Sequence, residues 1–313
     1  MLRFVVRRGI SAALLLAGIT VLTFFLLNLF SSEVPRRILG EAAGPEQLTL
    51  KAQEIGLDRP LVERFIDWAG RAIQGDLGRS WFTGETVVQA LGSRLTVTLT
   101  LIVCTIVVAG VIAVVLGIAS AVRGGWVDKV VQVLGVIGLA VPSFLIALAL
   151  VTVFAIQLRL LPAIGYVPIT TSVTGWMLAL LLPVTALAID IVASIAQQIR
   201  GSMVDSLQRD YVRTLRSRGL SNAEIVYKHV LRNAAGPALS VLALKFVGLL
   251  SGAVIVEQVF ALPGLGQVAV QSTARGDIPL VMGIVIVTAM IVVIVNLVID
   301  IVQVWLNPKV RLS

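Results

Sequence analysis

The chain has 313 residues, of which 58% are hydrophobic and only 13% charged, with a mean hydropathy of +0.98. Soluble domains carry about 25% charged residues, so this composition, with apolar runs near membrane-spanning length, predicts an integral membrane protein. The net charge of +8 does not indicate a nucleic-acid partner, because the basic residues lie between apolar runs. A single cysteine, Cys104, and a single histidine, His229, exclude an intrachain disulfide and a Cys/His metal cluster.

The N-terminus places Arg3, Arg7 and Arg8 before an apolar run over residues 9–30. This run is longer than the apolar core of a cleaved signal peptide, and no convincing small-x-small cleavage site follows it. We therefore predict an uncleaved first membrane span.

Six apolar stretches are each long enough to cross about 30 Å of hydrocarbon as a helix. They lie near residues 9–30, 95–122, 130–158, 175–199, 237–262 and 281–306. The predicted fold is an all-α bundle of six transmembrane helices. Pro142 and Pro183 are expected to kink the third and fourth spans, and Gly248 and Gly252 to allow close helix packing.

The distribution of charge predicts that both termini are cytoplasmic. With that orientation, the inner segments contain fourteen basic residues, including Arg123, Lys129, Arg200, Lys309 and Arg311, against four acidic ones. The outer segment at 31–94 is nearly balanced, with eight basic and nine acidic residues. This asymmetry follows the positive-inside rule.

Three regions follow from this topology. Residues 1–94 are predicted to comprise the first span and an extracytoplasmic segment. Residues 95–306 form the transmembrane core, and residues 307–313 form a cytoplasmic tail. The amphipathic patch at 61–68 predicts a short helix lying on the outer face.

The cytoplasmic loop at 200–236 has the most informative pattern. Its apolar residues Val204, Leu207, Tyr211 and Leu215 recur at helical spacing and predict one amphipathic helix that ends at Gly219. A capping box beginning at Ser221 predicts a second short helix, with Gly236-Pro237 as the next breaker. A basic amphipathic loop is consistent with binding to anionic lipid head groups. Two capped helices instead favour a rigid knob that fits a groove in a soluble partner.

Several motifs along the whole chain resemble those of ABC-transporter permeases, in the subfamily of dipeptide, oligopeptide and related nickel importers. The loop motifs are Arg209-Asp210-Tyr211-Val212-Arg213-Thr214, Arg218-Gly219-Leu220 and His229-Val230-Leu231-Arg232-Asn233-Ala234. Further matches are Leu57-Asp58-Arg59-Pro60, Gly75-Asp76-Leu77-Gly78-Arg79-Ser80, Val141-Pro142-Ser143-Phe144, Leu161-Pro162-Ala163, Glu257-Gln258-Val259-Phe260-Ala261-Leu262-Pro263-Gly264-Leu265-Gly266 and Asn307-Pro308-Lys309-Val310-Arg311. Their order and spacing, more than any single motif, carry the resemblance. Three departures are Leu215, where a small alanine is usual, Ser31-Ser32-Glu33, where Pro-Gly-Asp is common, and Lys245, where an uncharged polar residue is more usual.

The resemblance implies a type I importer bundle in a bacterial or archaeal plasma membrane. It implies a homologous second permease, two ATP-binding subunits and an extracytoplasmic substrate-binding protein as partners. This chain has no G-x-x-x-x-G-K-[ST] phosphate loop, so ATP and Mg²⁺ are expected on the partner subunits and no enzymatic activity on this one. The residues expected to couple it to the ATPase are Leu207, Arg209, Asp210, Tyr211, Arg213, Thr214, Leu215, Arg218, Gly219, Leu220, His229, Arg232 and Asn233.

Four ionisable residues lie inside the predicted spans, of which Asp300, near the inner end of span six, is expected to be an interfacial residue. Asp190 and Lys245 both lie roughly 12–15 Å from the cytoplasmic boundary, ten and eight residues from Arg200 and Pro237. Because a charge in a span needs a partner or water, we expect an ion pair or two residues that line the translocation path. Glu257, near the outer end of span five, is expected to act in gating or packing.

The transported solute stays open at this stage. Dipeptides and oligopeptides are the favoured solutes, while nickel chelates, short sugars and other small metabolites are alternatives. A secondary transporter driven by an ion gradient is less consistent with the sequence, because no inverted halves or interrupted ion-site helices are evident. An intramembrane enzyme lacks a nucleophile–base pair or metal ligands at reactive spacing.

Overall fold

The computed structural model describes the backbone of residues 2–29 and 31–306 and the side chains of residues 8–29 and 31–303. The predictions for Arg3, Arg7, Lys309 and Arg311 concern side chains that lie outside the described ones. Within this part, the chain is helical, with an isolated antiparallel bridge between Arg79 and Thr86. The helices are α1 (Leu2–Asn28), α2 (Val34–Leu39), α3 (Pro45–Glu54), α4 (Leu61–Ile73), α5 (Val87–Arg123), α6 (Gly125–Ala140), α7 (Ser143–Leu150), α8 (Val173–Leu207), α9 (Asp210–Ser217), α10 (Asn222–Glu224), α11 (Leu231–Val259), α12 (Leu265–Arg275) and α13 (Ile278–Leu306).

Five helical segments of the described chain are long and apolar enough to cross a membrane. They are Arg8–Asn28, Val87–Arg123, Val173–Leu207, Asn222–Val259 and Ile278–Gln303. A sixth crossing is completed if α6 and the helical segment Ser143–Gln157 count together, although the two are bent by 97°. The predicted all-α fold is therefore confirmed, with five apolar spans, or six if the bent pair forms one span.

The bend in the third span falls where Pro142 was predicted to act. The helix ends at Ala140, Val141 adopts extended backbone with ψ 119°, and a new helix begins at Ser143. Proline disfavours helical conformation in the residue before it, so Val141 leaves the helix and the chain turns. Pro183, by contrast, lies inside the uninterrupted helix α8.

Clustering of the contacts divides the chain into two compact units. The first comprises Met1–Val97 and Pro263–Ile294, and the second Thr98–Leu262 and Val295–Ser313. The boundaries predicted at residues 94 and 306 stay predictions.

Apolar clusters hold the first unit together. One joins Phe24 of α1 and Trp68 of α4 to Ile278 and Met282 of α13. Another packs the start of α5, around Val87, against α12 and α13. The helix α4 confirms the amphipathic helix predicted at 61–68.

A buried carboxylate ties the segment between α1 and α5 to the start of α13. Asp277 is almost fully buried and accepts hydrogen bonds from the Ser80 hydroxyl and from the Trp81 backbone N–H. Ser80 also accepts from the N–H groups of Phe82 and Thr83, so it orders the turn that follows it. Sequence reasoning missed Asp277, because it lies 197 residues from Ser80 and no local pattern connects the two.

In the second unit, α8 packs against α6, α7 and α11. Small residues permit the approach: a Cβ at Gly138 would meet Ile189 Cγ2 at 3.1 Å, and one at Gly252 would meet Leu187 Cδ2 at 3.5 Å. Close packing is thus confirmed at Gly252. At Gly248 a Cβ would meet no described atom of this chain within 4 Å, so packing within the chain does not require glycine there.

Candidate functional site

The segment between α8 and α11 contains α9, a separate helix of eight residues. Helix α8 ends at Leu207, and Arg209 adopts extended backbone with ψ 150° before α9 begins. The predicted single helix through Val204, Leu207, Tyr211 and Leu215 is therefore wrong. The apolar residues keep helical spacing across this break, so hydrophobic periodicity alone does not reveal that the helix is interrupted.

The end of α9 confirms the predicted stop at Gly219. This glycine has φ +84°, its N–H donates to the Arg216 carbonyl at 2.9 Å, and the Leu220 N–H donates to the Leu215 carbonyl at 3.2 Å. These two bonds form a Schellman motif, in which a left-handed residue terminates the helix. Leu215 and Leu220 occupy the two positions that commonly make an apolar contact in this motif, and both are half-buried.

The second predicted helix begins as expected but does not end as expected. Ser221 Oγ accepts a hydrogen bond from the Glu224 N–H at 3.2 Å, whereas the Glu224 carboxylate accepts one from Lys228 Nζ at 3.3 Å. From Asn222 the chain stays helical to Val259, so Gly236-Pro237 is not a breaker. Proline removes one backbone hydrogen bond, but α11 packs along α8 and its other bonds remain.

Helix α9 is held by packing against the first turns of this long helix. Val212 is fully buried, and α9 contacts the segment Ile225–Val230, in which Ile225, Val226 and Val230 are also buried. On the same side, Asn233 Nδ2 donates to the Tyr211 hydroxyl at 3.2 Å. The short helix therefore has a fixed position relative to α11.

The outer side of α9 is charged and accessible. Arg213 and Arg216 lie one turn apart on α9, Arg209 directly precedes the helix, and all three are exposed. The pair between Arg213 and Asp210 spans 3.6 Å with both side chains in solvent, so it neutralises little of this surface. Among the other predicted coupling residues, Thr214, Arg218, Arg232 and Asn233 are exposed, while Leu207 and His229 are half-buried.

The ion pair predicted between Asp190 and Lys245 is present. Lys245 Nζ lies 2.7 Å and 2.9 Å from the two carboxylate oxygens of Asp190, and so joins α8 to α11. The side chains are 36% and 28% exposed, respectively, so the pair is only partly removed from the surface of the chain. Because α8 leads into α9 and α11 follows it, the pair links the two helices that flank the short one.

Glu257 occupies a different environment from Asp190 and Lys245. It is fully buried near the end of α11 and accepts a hydrogen bond from Thr98 Oγ1 at 2.5 Å. Its backbone carbonyl accepts from the Leu262 N–H at 2.8 Å in a second Schellman motif, with Ala261 at φ +48°. This environment favours the packing alternative for Glu257.

Asp128 and Arg200 form a second ion pair, which sequence reasoning missed. Arg200 donates through Nε and Nη2 to the two Asp128 oxygens at 2.8 Å and 2.6 Å, while Ser120 and Gln132 donate to the same carboxylate. This cluster of Ser120, Asp128, Gln132 and Arg200, which we call the Asp128–Arg200 hub, therefore connects the end of α5 with α6 and α8. The sequence showed these residues only as charges at the ends of spans, because 72 residues separate the pair.

Comparison with known protein families decides the class of the chain. The family described as binding-protein-dependent transport system inner membrane component matches residues 113–312, and its N-terminal counterpart matches residues 1–102. The chain belongs to this family of ABC importer permeases. The resemblance seen in the loop and span motifs is thereby confirmed, and the protein is a multi-pass membrane permease component of an ABC importer.

Several relatives match this permease over nearly the full length of both chains. A probable peptide ABC transporter permease of Sinorhizobium fredii is 34% identical over 98% of this chain and 99% of the relative. A putative peptide transport system permease of Brucella abortus is 34% identical, and the glutathione transport system permease GsiC of Escherichia coli K12 is 33% identical, each over 99% of both chains.

A solved structure supports the fold of the permease. The inward-facing MetNI methionine ABC transporter matches with a TM-score of 0.50 and 15% identity, over 71% of this chain and 96% of that chain. This likeness concerns the fold alone. The roles expected for the α9 residues and for the ion pair stay predictions.

Proposed function

We propose that this permease forms half of a translocation path for dipeptides or oligopeptides and that α9 receives the mechanical input of a separate ATPase. A homologous second permease would form the other half, two ATP-binding subunits would bind ATP and Mg²⁺, and an extracytoplasmic binding protein would deliver the peptide. Both termini and α9 would lie on the cytoplasmic side, where the basic residues concentrate.

The geometry of α9 carries the proposal. A short helix separated from its neighbours by an extended residue and a left-handed glycine moves as a rigid body when pushed. Val212 seats it on the first turns of the long helix that begins at Asn222. A displacement of α9 would thus reach α11 through packing and α8 through the Arg209 connection.

The Asp190–Lys245 pair extends this mechanism into the spans. It adds a charged contact to the extensive packing between the two long apolar helices α8 and α11. A pair at this position would make the two helices respond to α9 together. Its partial exposure also suits a residue pair beside a water-filled path.

The basic side of α9 supports a protein partner of complementary charge. Two exposed arginines one turn apart on an eight-residue helix, with the exposed Arg209 directly before it, would fit an acidic groove in the ATPase. The same arginines would also attract anionic lipid head groups, so the experiment must separate the two partners.

Coupling is tested with the assembled complex, comparing the double variant Arg213→Glu and Arg216→Glu with the unaltered permease. We expect loss of the co-purifying ATP-binding subunits, and of ATP-dependent uptake into proteoliposomes. Lys129→Glu is the matched control, because it reverses an exposed charge on α6, outside the segment between α8 and α11, and should leave both unchanged. An unaltered complex in the double variant, or uptake that proceeds without ATP hydrolysis, would refute the coupling role.

The peptide substrate is supported by the relatives, two of which are named as peptide permeases and one as a glutathione permease. Identification of the ligand that co-purifies with the associated binding protein, by mass spectrometry, tests this part separately. A bound peptide supports the proposal, whereas a nickel chelate or a sugar would refute the peptide assignment and leave the coupling mechanism intact.

A further inference from the structure

Helix α4 exposes an apolar stripe in addition to the side that packs on the rest of its unit. Val62, Ile66 and Ile73 are 58%, 62% and 88% exposed, respectively. At about 100° per residue, these three positions lie within about 40° of one another around the helix. The stripe is therefore a continuous surface and not three scattered side chains.

The other side chains of α4 divide into two further sectors. Leu61, Phe65 and Trp68 belong to the apolar cluster of the first unit and point about 100° away from the stripe. Glu63 and Asp67 lie on the remaining side, where Arg59 pairs with them at 3.7 Å and 2.6 Å. The hydrogen bond from Arg59 to Asp67 raises the pKa of the guanidinium.

The position of α4 along α1 locates the stripe relative to a bilayer. The Phe65 ring lies 5.2 Å from that of Phe24 and 5.9 Å from that of Phe25, and Arg64 donates to the side chain of Asn28. Asn28 is the last residue of the first span, so α4 lies beside the last turns of that span. At 1.5 Å per residue, Phe24 is about 6 Å from the helix end.

The surface of α1 at this level is itself apolar and exposed. Leu22 and Leu26 of α1, and Leu29 directly after it, are each more than half exposed, as expected for a span that faces acyl chains. The stripe on α4 and this apolar surface of α1 therefore lie at the same level of the first unit, and the surface of α1 already requires lipid. A soluble partner would need to cover a surface that begins inside the hydrocarbon region.

We propose that α4 is an interfacial helix whose Val62, Ile66 and Ile73 side chains insert into the bilayer at the boundary of head groups and acyl chains. The three sectors of α4 fit this arrangement. The sector of Leu61, Phe65 and Trp68 faces the rest of the unit, the stripe faces lipid, and the charged sector faces water. The helix then fixes the height of the segment between α1 and α5 relative to the membrane surface. This inference stands on the first unit alone and does not depend on the proposed transport function.

The proposal is tested by spin labelling of the assembled complex in proteoliposomes of phosphatidylethanolamine and phosphatidylglycerol. Single cysteines at Ile66 and, separately, Ile73 are introduced into a Cys104→Ala background, which removes the one native thiol. Asp67→Cys is the matched control, because it lies on the same helix about 100–120° away from the two labelled positions. Collision rates with oxygen and with a water-soluble nickel complex report the depth of each label.

We expect labels at positions 66 and 73 to collide more with oxygen than with the nickel complex, at a depth of about 5–10 Å below the membrane surface. The label at position 67 should show the opposite preference. If the nickel complex dominates at 66 and 73, the stripe faces water and the proposal is overturned. Protection from both reagents would mean that another protein covers the stripe, and this too would overturn it.

Discussion

Lys245 on α11 contacts both carboxylate oxygens of Asp190 on α8, at 2.7 Å and 2.9 Å, inside two long apolar helices of the chain. An ionised side chain in such a helix is costly unless it is paired or reaches water. The two helices also flank α9, so the pair can contribute both to the stability of the permease and to transport. Its removal can therefore be measured both as a change in stability and as a change in uptake.

Neutralising one member of this pair should destabilise the permease more than neutralising both. We expect Asp190→Asn or Lys245→Gln alone to cost about 1–3 kcal/mol, because the other charge is left without its partner, and the double variant to recover part of that loss. Thermal unfolding of the purified complex in a double-mutant cycle measures the coupling. If the two single effects simply add, the contact has no energetic significance.

Exchanging the two charges separates packing from transport. The variant that carries Asp190→Lys together with Lys245→Asp keeps an ion pair, so its unfolding midpoint should lie close to that of the unaltered permease. If the pair also lines the path, peptide uptake in proteoliposomes falls although stability is restored. Full uptake with restored stability would assign the pair a structural role only.

The Asp128–Arg200 hub should be sensitive to geometry as well as to charge. Arg200→Lys retains the positive charge but loses the two parallel hydrogen bonds, and we expect a loss of about 1–2 kcal/mol. Asp128→Asn removes the charge that three side chains contact and should cost more. Chemical unfolding of the complex measures the stability of the two variants. An Arg200→Lys variant as stable as the unaltered permease would show that the paired hydrogen bonds contribute nothing to stability.

Two Schellman motifs predict opposite effects of exchanging glycine and alanine. Gly219→Ala places a Cβ at φ +84° and should cost about 1 kcal/mol, although no neighbouring atom lies within 4 Å of it. Ala261→Gly relieves the same strain at φ +48° and should stabilise by up to about 1 kcal/mol. Paired measurements of the unfolding midpoint test both signs, and two shifts in the same direction would exclude backbone strain as the cause.

Gly283 of α13 should not tolerate alanine, because a Cβ there would lie 2.2 Å from Val87 Cγ1 of α5. The valine side chain has little rotamer freedom in a helix, so we expect a loss of about 1–3 kcal/mol. Gly110→Ala is the control, since a Cβ at that position in α5 meets nothing within 4 Å. The loss caused by Gly283→Ala should be smaller in a Val87→Ala background than in the unaltered permease, and an equal loss in both backgrounds would contradict the steric explanation.

Local sequence was sufficient for the elements that depend on neighbouring residues. Apolar run length located the spans, Gly219 marked the end of α9, Ser221 marked the start of the next helix, and two charges inside spans predicted the Asp190–Lys245 contact. Each of these follows from a rule about residues a few positions apart, or from the cost of an isolated charge in an apolar helix.

Tertiary structure decided whether helices continue and which distant residues meet. The chain leaves the helix at Arg209 and stays helical through Gly236-Pro237, because packing against neighbouring helices outweighs local propensity. The contacts of Asp128 with Arg200 and of Asp277 with Ser80 join residues 72 and 197 positions apart. No periodicity encodes such pairs, since they arise only when separate helices pack together.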